Sequence, residues 1–159
     1  ESQIWHRHVL DSAQLVKFID FNLNSVADLG TGAGFPGLVV QIFNKNKAFH
    51  VKLYEKSSVK RRFLLGVIKE LSLNAEVLGD VRDEVIDSDI IICRAFKKLD
   101  KIIQVSREIA KKPHKLMILK GQNAQKEIKN SFKTKKYPYK LESSMTNKDS
   151  KIILMEINK

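Results

Sequence analysis

The sequence predicts an α/β fold: a mostly parallel sheet flanked by helices and closed by an antiparallel C-terminal strand pair. Three observations predict it. Short apolar runs alternate with helical segments along most of the chain, the pattern of a parallel sheet covered on both faces. The first run enters a glycine-rich turn, Asp28-Leu29-Gly30-Thr31-Gly32-Ala33-Gly34-Phe35-Pro36-Gly37, and the chain continues into a helical segment. The last two runs, Tyr139 to Met145 and Lys151 to Ile157, are joined by a short connection through Thr146-Asn147-Lys148-Asp149, so they pair antiparallel.

Taken in order, Ile4, Trp5, Val9, Leu10, Ala13, Val16 and Ile19 recur at helical spacing and predict an amphipathic helix over roughly 3–20, packed on the sheet. The first strand ends at Asp28. Glycine permits backbone angles that other side chains forbid, and Pro36 suits the first turn of the helix Leu38-Val39-Val40-Gln41-Ile42-Phe43. His50 to Glu55 reads as the second strand. A helix over about 57–73 follows, with Phe63, Leu64, Val67, Ile68 and Leu71 as its apolar stripe and Lys60, Arg61 and Arg62 in its early turns. Ala75 to Leu78 is a short third strand, leading to the loop Gly79-Asp80-Val81-Arg82-Asp83-Glu84. Asp89-Ile90-Ile91-Ile92-Cys93-Arg94 is the clearest strand. Its continuous apolar run fits a central position buried on both faces. A helix over about 98–111, a fifth strand Lys115 to Leu119 and a helix holding Glu127 and Ile128 complete the alternation.

Composition bounds the function. The 159 residues, 43% apolar and 30% charged, suit one domain with a real core. The whole chain 1–159 is read as that domain. No run is long enough to span a membrane and no signal-peptide pattern opens the chain. Cys93 is the single cysteine, which excludes an internal disulfide and fits a cytoplasmic protein; it reads as a small core residue. His6 and His8 lack metal-ligand spacing, so no metal site is expected. A net charge of +11 favours a polyanionic partner, and lysines crowd the stretch from Lys111 to Lys140.

Two cofactors compete for the glycine turn. Gly32-Ala33-Gly34-Phe35-Pro36-Gly37 fits the dinucleotide pattern G-x-G-x-x-G. Asp28 to Gly34 fits D-x-G-x-G-x-G and resembles the first motif of class I S-adenosylmethionine methyltransferases. A carboxylate at Asp28 repels a pyrophosphate and attracts the S-adenosylmethionine cation. Glu55 ends the second strand, where this architecture places an acid for ribose hydroxyls. Asp80 or Asp83 could accept from an adenine amino group. Arg94 emerges at the carboxyl end of the central strand, where such folds keep their sites. A dehydrogenase needs more chain for a substrate domain, so methyl transfer is favoured. A nicotinamide-dependent oxidoreductase and a non-catalytic RNA-binding module are the alternatives.

Five segments carry a more specific resemblance. Arg7-His8-Val9-Leu10-Asp11-Ser12, the glycine turn, Lys60-Arg61-Arg62-Phe63-Leu64, Arg94-Ala95-Phe96 and Leu119-Lys120-Gly121-Gln122 are together similar to the bacterial 16S rRNA guanine-N7 methyltransferases of the glucose-inhibited division protein B family. The resemblance implies a class I methyltransferase (Rossmann-like) fold, S-adenosylmethionine as donor, and a guanosine of the 530 loop as acceptor. It also implies N-terminal helices ahead of the Arg7-His8 segment in family members. Cofactor contacts carried over by position are Asp28, Gly30, Thr31, Gly32, Gly34, Phe35, Glu55, Arg82, Asp83 and Arg94. Arg94 and Lys120 are the candidates for catalysis at the substrate, with Arg94 reaching guanine O6, a phosphate or an acid such as Asp11. The expected partner is 16S rRNA or the small ribosomal subunit, bound by a monomer.

Overall fold

A computed structural model describes residues 4–23, 25–132 and 137–158. Lys133, Lys135 and Lys136 of the lysine-rich stretch lie outside the described residues, as does the first residue of the expected 3–20 helix.

Strands β1 (Ser25–Leu29), β2 (His50–Tyr54), β3 (Ala75–Leu78), β4 (Ile90–Arg94), β5 (His114–Lys120), β6 (Tyr139–Ser143) and β7 (Lys151–Ile157) form one sheet in the order β3-β2-β1-β4-β5-β7-β6. The first five run parallel. β7 enters antiparallel to β5, and β6 pairs antiparallel with β7, as the short connection requires. β1 has β2 on one side and β4 on the other, so the chain reverses its winding at the glycine turn. Open α/β sheets place their ligand crevice at such a point.

Helices α2 (Gly37–Phe43), α3 (Ser58–Glu70), α4 (Leu99–Ile109) and α5 (Ala124–Ser131) follow β1, β2, β4 and β5. β3 is followed by a single 3-10 turn, Val81–Asp83. The central strands are buried on both faces, and their side chains divide with period two between two cores. Ala27, Ile91, Cys93, Leu116 and Ile118 face α4 and α5 residues such as Ile102 and Ile128. Val26, Ile90, Ile92, Met117 and Leu119 pack with Leu38, Val40 and Leu64 on the other side. Cys93 is fully buried, and burial pushes its thiol pKa far up, so it is the inert core residue the sequence suggests. Among the described residues no helix is long and apolar enough to cross a membrane.

Three expectations need correction. The N-terminal helix, α1, is shorter and wider than an amphipathic α-helix. A π-helical segment, Trp5–Leu10, runs into a single α turn, Asp11–Ala13, and a separate 3-10 turn covers Val16–Phe18. The wider turn breaks the 3.6-residue register on which the predicted stripe depended. Ile4, Trp5 and Leu10 are consequently exposed, and the buried apolar contacts begin at Leu15. In α3 only Leu64 is fully buried, while Phe63 and Leu71 are exposed. Pro36 stands one position before the α2 helix, at its N-cap after a cis peptide bond, and not inside the first turn.

Candidate functional site

The glycine turn is built by backbone geometry. Gly30, Gly32 and Gly34 all have positive φ, at 68°, 63° and 98°. Gly30 also lies under the Phe96 ring: a β-carbon there would come within 2.6 Å of the ring edge. At Gly32 a β-carbon would meet nothing within 4 Å. The turn is therefore closed on one side by protein and open at Gly32, as a turn that approaches a ligand must be. The Thr31 amide donates to the Tyr54 carbonyl at 3.0 Å, tying the turn to the end of β2.

Asp28 sits beneath this turn and is fully buried. Its Oδ2 accepts from the Gly37 amide at 2.8 Å, at the start of α2. Its Oδ1 and the Thr31 hydroxyl are buried without a hydrogen-bond partner of ordinary geometry. Burial raises the carboxyl pKa to about 6, against the opposing pull of Thr31, the Gly37 amide and the distant Arg94 cation. Asp28 thus positions the α2 terminus, and its carboxylate does not reach the open cavity.

Glu55, immediately after β2, is 7% exposed. Its carboxylate accepts from the Gly32 amide at 3.1 Å and the Ser57 amide at 2.8 Å. Carboxylate oxygens can accept more than one bond each, so acceptor capacity remains for vicinal hydroxyls. Beyond Glu55 opens a cavity of about 310 Å³. Tyr54, Val81 and Phe96 give it apolar wall area, while Glu55, Asp80 and Arg82 bring polar groups. Arg82 is paired with Asp80, and this pairing holds the Asp80 carboxyl down at about 2. Asp83 is exposed and does not line the cavity. Lys60 lines it, whereas Arg61 turns back to donate to the carbonyls of Glu55 and Lys56, at 3.0 and 2.7 Å, and so braces the loop.

A second cavity, of about 390 Å³, lies at the carboxyl ends of β4 and β5. Ala95 lines both. Arg94 and Lys120 face the second one, and neither is free. The Arg94 guanidinium donates to the Arg7 carbonyl at 3.0 Å and to His8 Nδ1 at 2.9 Å, and stands 3.6 Å from the Asp11 carboxylate. Arginine only donates, so His8 Nδ1 accepts and the neutral ring carries its proton on Nε2. Partial burial, and the Arg94 and Arg7 charges after it, lower the His8 pKa and keep the ring neutral. His8 and Arg94 both lie against the Phe35 ring. Lys120 Nζ is 2.8 Å from the Glu127 carboxylate and donates to the Lys97 carbonyl at 2.6 Å.

The structure therefore gathers Gly30, Glu55 and Arg82 around the first cavity and Arg94 and Lys120 around the second. Asp28 and Thr31 lie beneath the turn, and Asp83 stands apart. Three participants were not singled out from the sequence. Phe96 and Tyr54 could have been found by the rule that ligands meet residues at strand carboxyl ends. His8 carried no local signal beyond its place in the Arg7-His8 segment. The donor set suits S-adenosylmethionine: an acid for ribose hydroxyls, apolar walls for a purine, and a glycine whose missing side chain leaves room for the ligand.

The rRNA small subunit methyltransferase G family model matches residues 1–153. The protein called ribosomal RNA small subunit methyltransferase G in Pelagibacter ubique is 35% identical over 160 residues, covering 98% of this chain and 74% of that protein. Its counterpart in Orientia tsutsugamushi is 37% identical over 155 residues, covering 96% and 76%. Among solved structures, a SAM dependent methyltransferase from Aquifex aeolicus superposes with a TM-score of 0.68 at 14% identity, covering 98% of this chain and 93% of that one. M. jannaschii TYW2, solved in complex with AdoMet, superposes with a TM-score of 0.64 at 19% identity, covering 92% and 73%. These two likenesses speak for the fold.

Proposed function

Because the chain belongs to the rRNA small subunit methyltransferase G family, we propose that it methylates N7 of a guanosine in the 530 loop of 16S rRNA. The chain is an S-adenosylmethionine-dependent rRNA methyltransferase with a class I fold. The target follows from the family, and transfer to a bound acceptor is supported by two cavities that share Ala95, one beside the glycine turn and one beside Arg94 and Lys120. A donor and an acceptor held in the two are neighbours across a single residue.

When bound, S-adenosylmethionine supplies an electrophilic methyl group on a sulfonium. In this reading Gly30, Gly32 and Glu55 would hold its nucleoside and Phe96 would supply an apolar wall. Asp80 and Arg82 would border its base, and Asp83 stands outside the cavity. Asp28 acts from below through charge. Thr31, Gly34 and Phe35 would act by shaping the turn. Guanine N7 has an exposed lone pair and no proton to lose, so no general base is required and alignment does the catalytic work. The Arg94 bonds to α1 leave further N–H donors for guanine O6, which would turn N7 toward the methyl group. Lys120, already paired with Glu127, would border the acceptor in the second cavity. N7 of paired RNA faces a deep, narrow groove, so a loop base is the fitting target. The chain is read as a single domain acting as a cytoplasmic monomer without a metal, since the donor carries its own activation.

The test combines the protein, labelled S-adenosylmethionine and small ribosomal subunits, followed by chain scission at N7-methylguanosine. Scission confined to the 530 loop is expected. Transfer to another atom or another rRNA region overturns the reading.

A further inference from the structure

We propose that Glu127, on α5, is a positioning residue that holds the β4–α4 turn closed over the cofactor's glycine turn. The proposal rests on the reading that the cavity beside Gly30 takes S-adenosylmethionine.

The turn runs from Arg94 to Leu99 and needs outside support. Ala95 is held at φ 51°, a left-handed conformation that costs a residue with a β-carbon stability. Lys98, at the N-cap of α4, makes no side-chain cap bond. The cap comes from another helix: Glu127 Oε2 accepts from the Leu99 amide at 2.8 Å. The same oxygen is 2.8 Å from Lys120 Nζ, which donates in turn to the Lys97 carbonyl at 2.6 Å. One carboxylate thus fixes the turn at two points, directly at Leu99 and through Lys120 at Lys97. The Lys120 side chain is only 10% exposed and that of Glu127 25%, so solvent screens the pair weakly. At the other end Arg94 is tied to α1. Between these anchors stands Phe96, whose ring occupies the space a β-carbon on Gly30 would need and walls the first cavity.

Glu127 itself lines the second cavity and not the first. A carboxylate that only contacted the substrate base would leave cofactor affinity untouched. One that holds Phe96 in place sets that affinity without touching the cofactor.

The experiment measures S-adenosylhomocysteine binding by calorimetry, with no RNA present. Glu127→Ala is expected to raise Kd about tenfold, the scale of a lost charge-assisted hydrogen bond. Glu127→Gln keeps size and an acceptor for Leu99 but loses the ion pair, and a rise of about threefold is expected. In a Phe96→Ala background the Glu127 substitutions should add little, because the group they position is gone. An unchanged Kd in Glu127→Gln overturns the proposal, with or without a folded Glu127→Ala. So does a lower melting temperature in Glu127→Ala with wild-type affinity, or a purely additive effect with Phe96→Ala. Wild-type protein that takes up no cofactor would overturn the cofactor reading itself. Binding by the wild type with equal binding by both variants overturns this proposal alone.

Discussion

Replacing Asp28 by Asn should make the free protein more stable at neutral pH. Asp28 is fully buried, and burial raises its pKa from 3.8 to about 6. The sign follows from proton binding. Below 3.8 the carboxyl is protonated in both folded and unfolded chains and changes nothing. Between 3.8 and about 6 the unfolded chain ionises first, so stability falls as pH rises. Above that window the full cost is present, about 3 kcal/mol at roughly 1.4 kcal/mol per tenfold change in proton affinity. Asn has the same shape, and its carbonyl oxygen can keep the 2.8 Å bond from the Gly37 amide. Its amide can face the Thr31 hydroxyl that now lies beside the carboxyl. Urea unfolding followed by circular dichroism from pH 4 to pH 8 should show the Asp28→Asn advantage growing from near zero to about 3 kcal/mol. In a chain of this size that corresponds to about 6–12 °C in Tm at pH 7. The same variant should bind S-adenosylmethionine more weakly, having lost the negative charge beneath the turn. A gap between variant and wild type that is flat with pH, or a variant less stable at pH 7, would mean that the buried carboxylate carries no such cost.

Gly32→Val should abolish S-adenosylmethionine binding with a modest stability loss of about 1–2 kcal/mol, since its cost is a β-branched residue at φ 63° and not a clash; calorimetry and a thermal melt separate the two effects, and retained affinity counts against the site. Arg94→Ala should destabilise by about 2–3 kcal/mol through the lost bonds to Arg7 and His8 and the weakened Asp11 pairing. Fluorescence anisotropy of Trp5, the single tryptophan, should fall as α1 loosens, and an unchanged melt with unchanged anisotropy removes the anchoring role. Binding to 16S rRNA should weaken at least about tenfold between 50 and 200 mM salt as neutralised phosphates release counterions; a flat response would make the +11 charge ordinary solvated lysine.

The order of elements, the glycine turn and the strand-end residues Glu55 and Arg94 are legible in the chain before it folds. Each of these is local. The unbroken apolar run of β4, a cluster of glycines in a tight turn and an acid at a strand end leave their mark within a few neighbouring residues. The 3–20 helix failed where a local rule was broken: the π-helical segment shifts the register, so an apolar stripe in the sequence became exposed Ile4, Trp5 and Leu10. Only the tertiary structure decided what the charged residues do. Arg94 meets Arg7 and His8 across more than eighty residues of chain because β4 carries it to the sheet end on which α1 rests. Lys120, read from sequence as a substrate contact, already grips Glu127 and the Lys97 carbonyl. Asp28 points down to Gly37 and not out to solvent. Hydrophobic periodicity records which face of an element is buried. The partner of a long polar side chain depends on which strands lie side by side, and the order β3-β2-β1-β4-β5-β7-β6 exists only once the chain has folded.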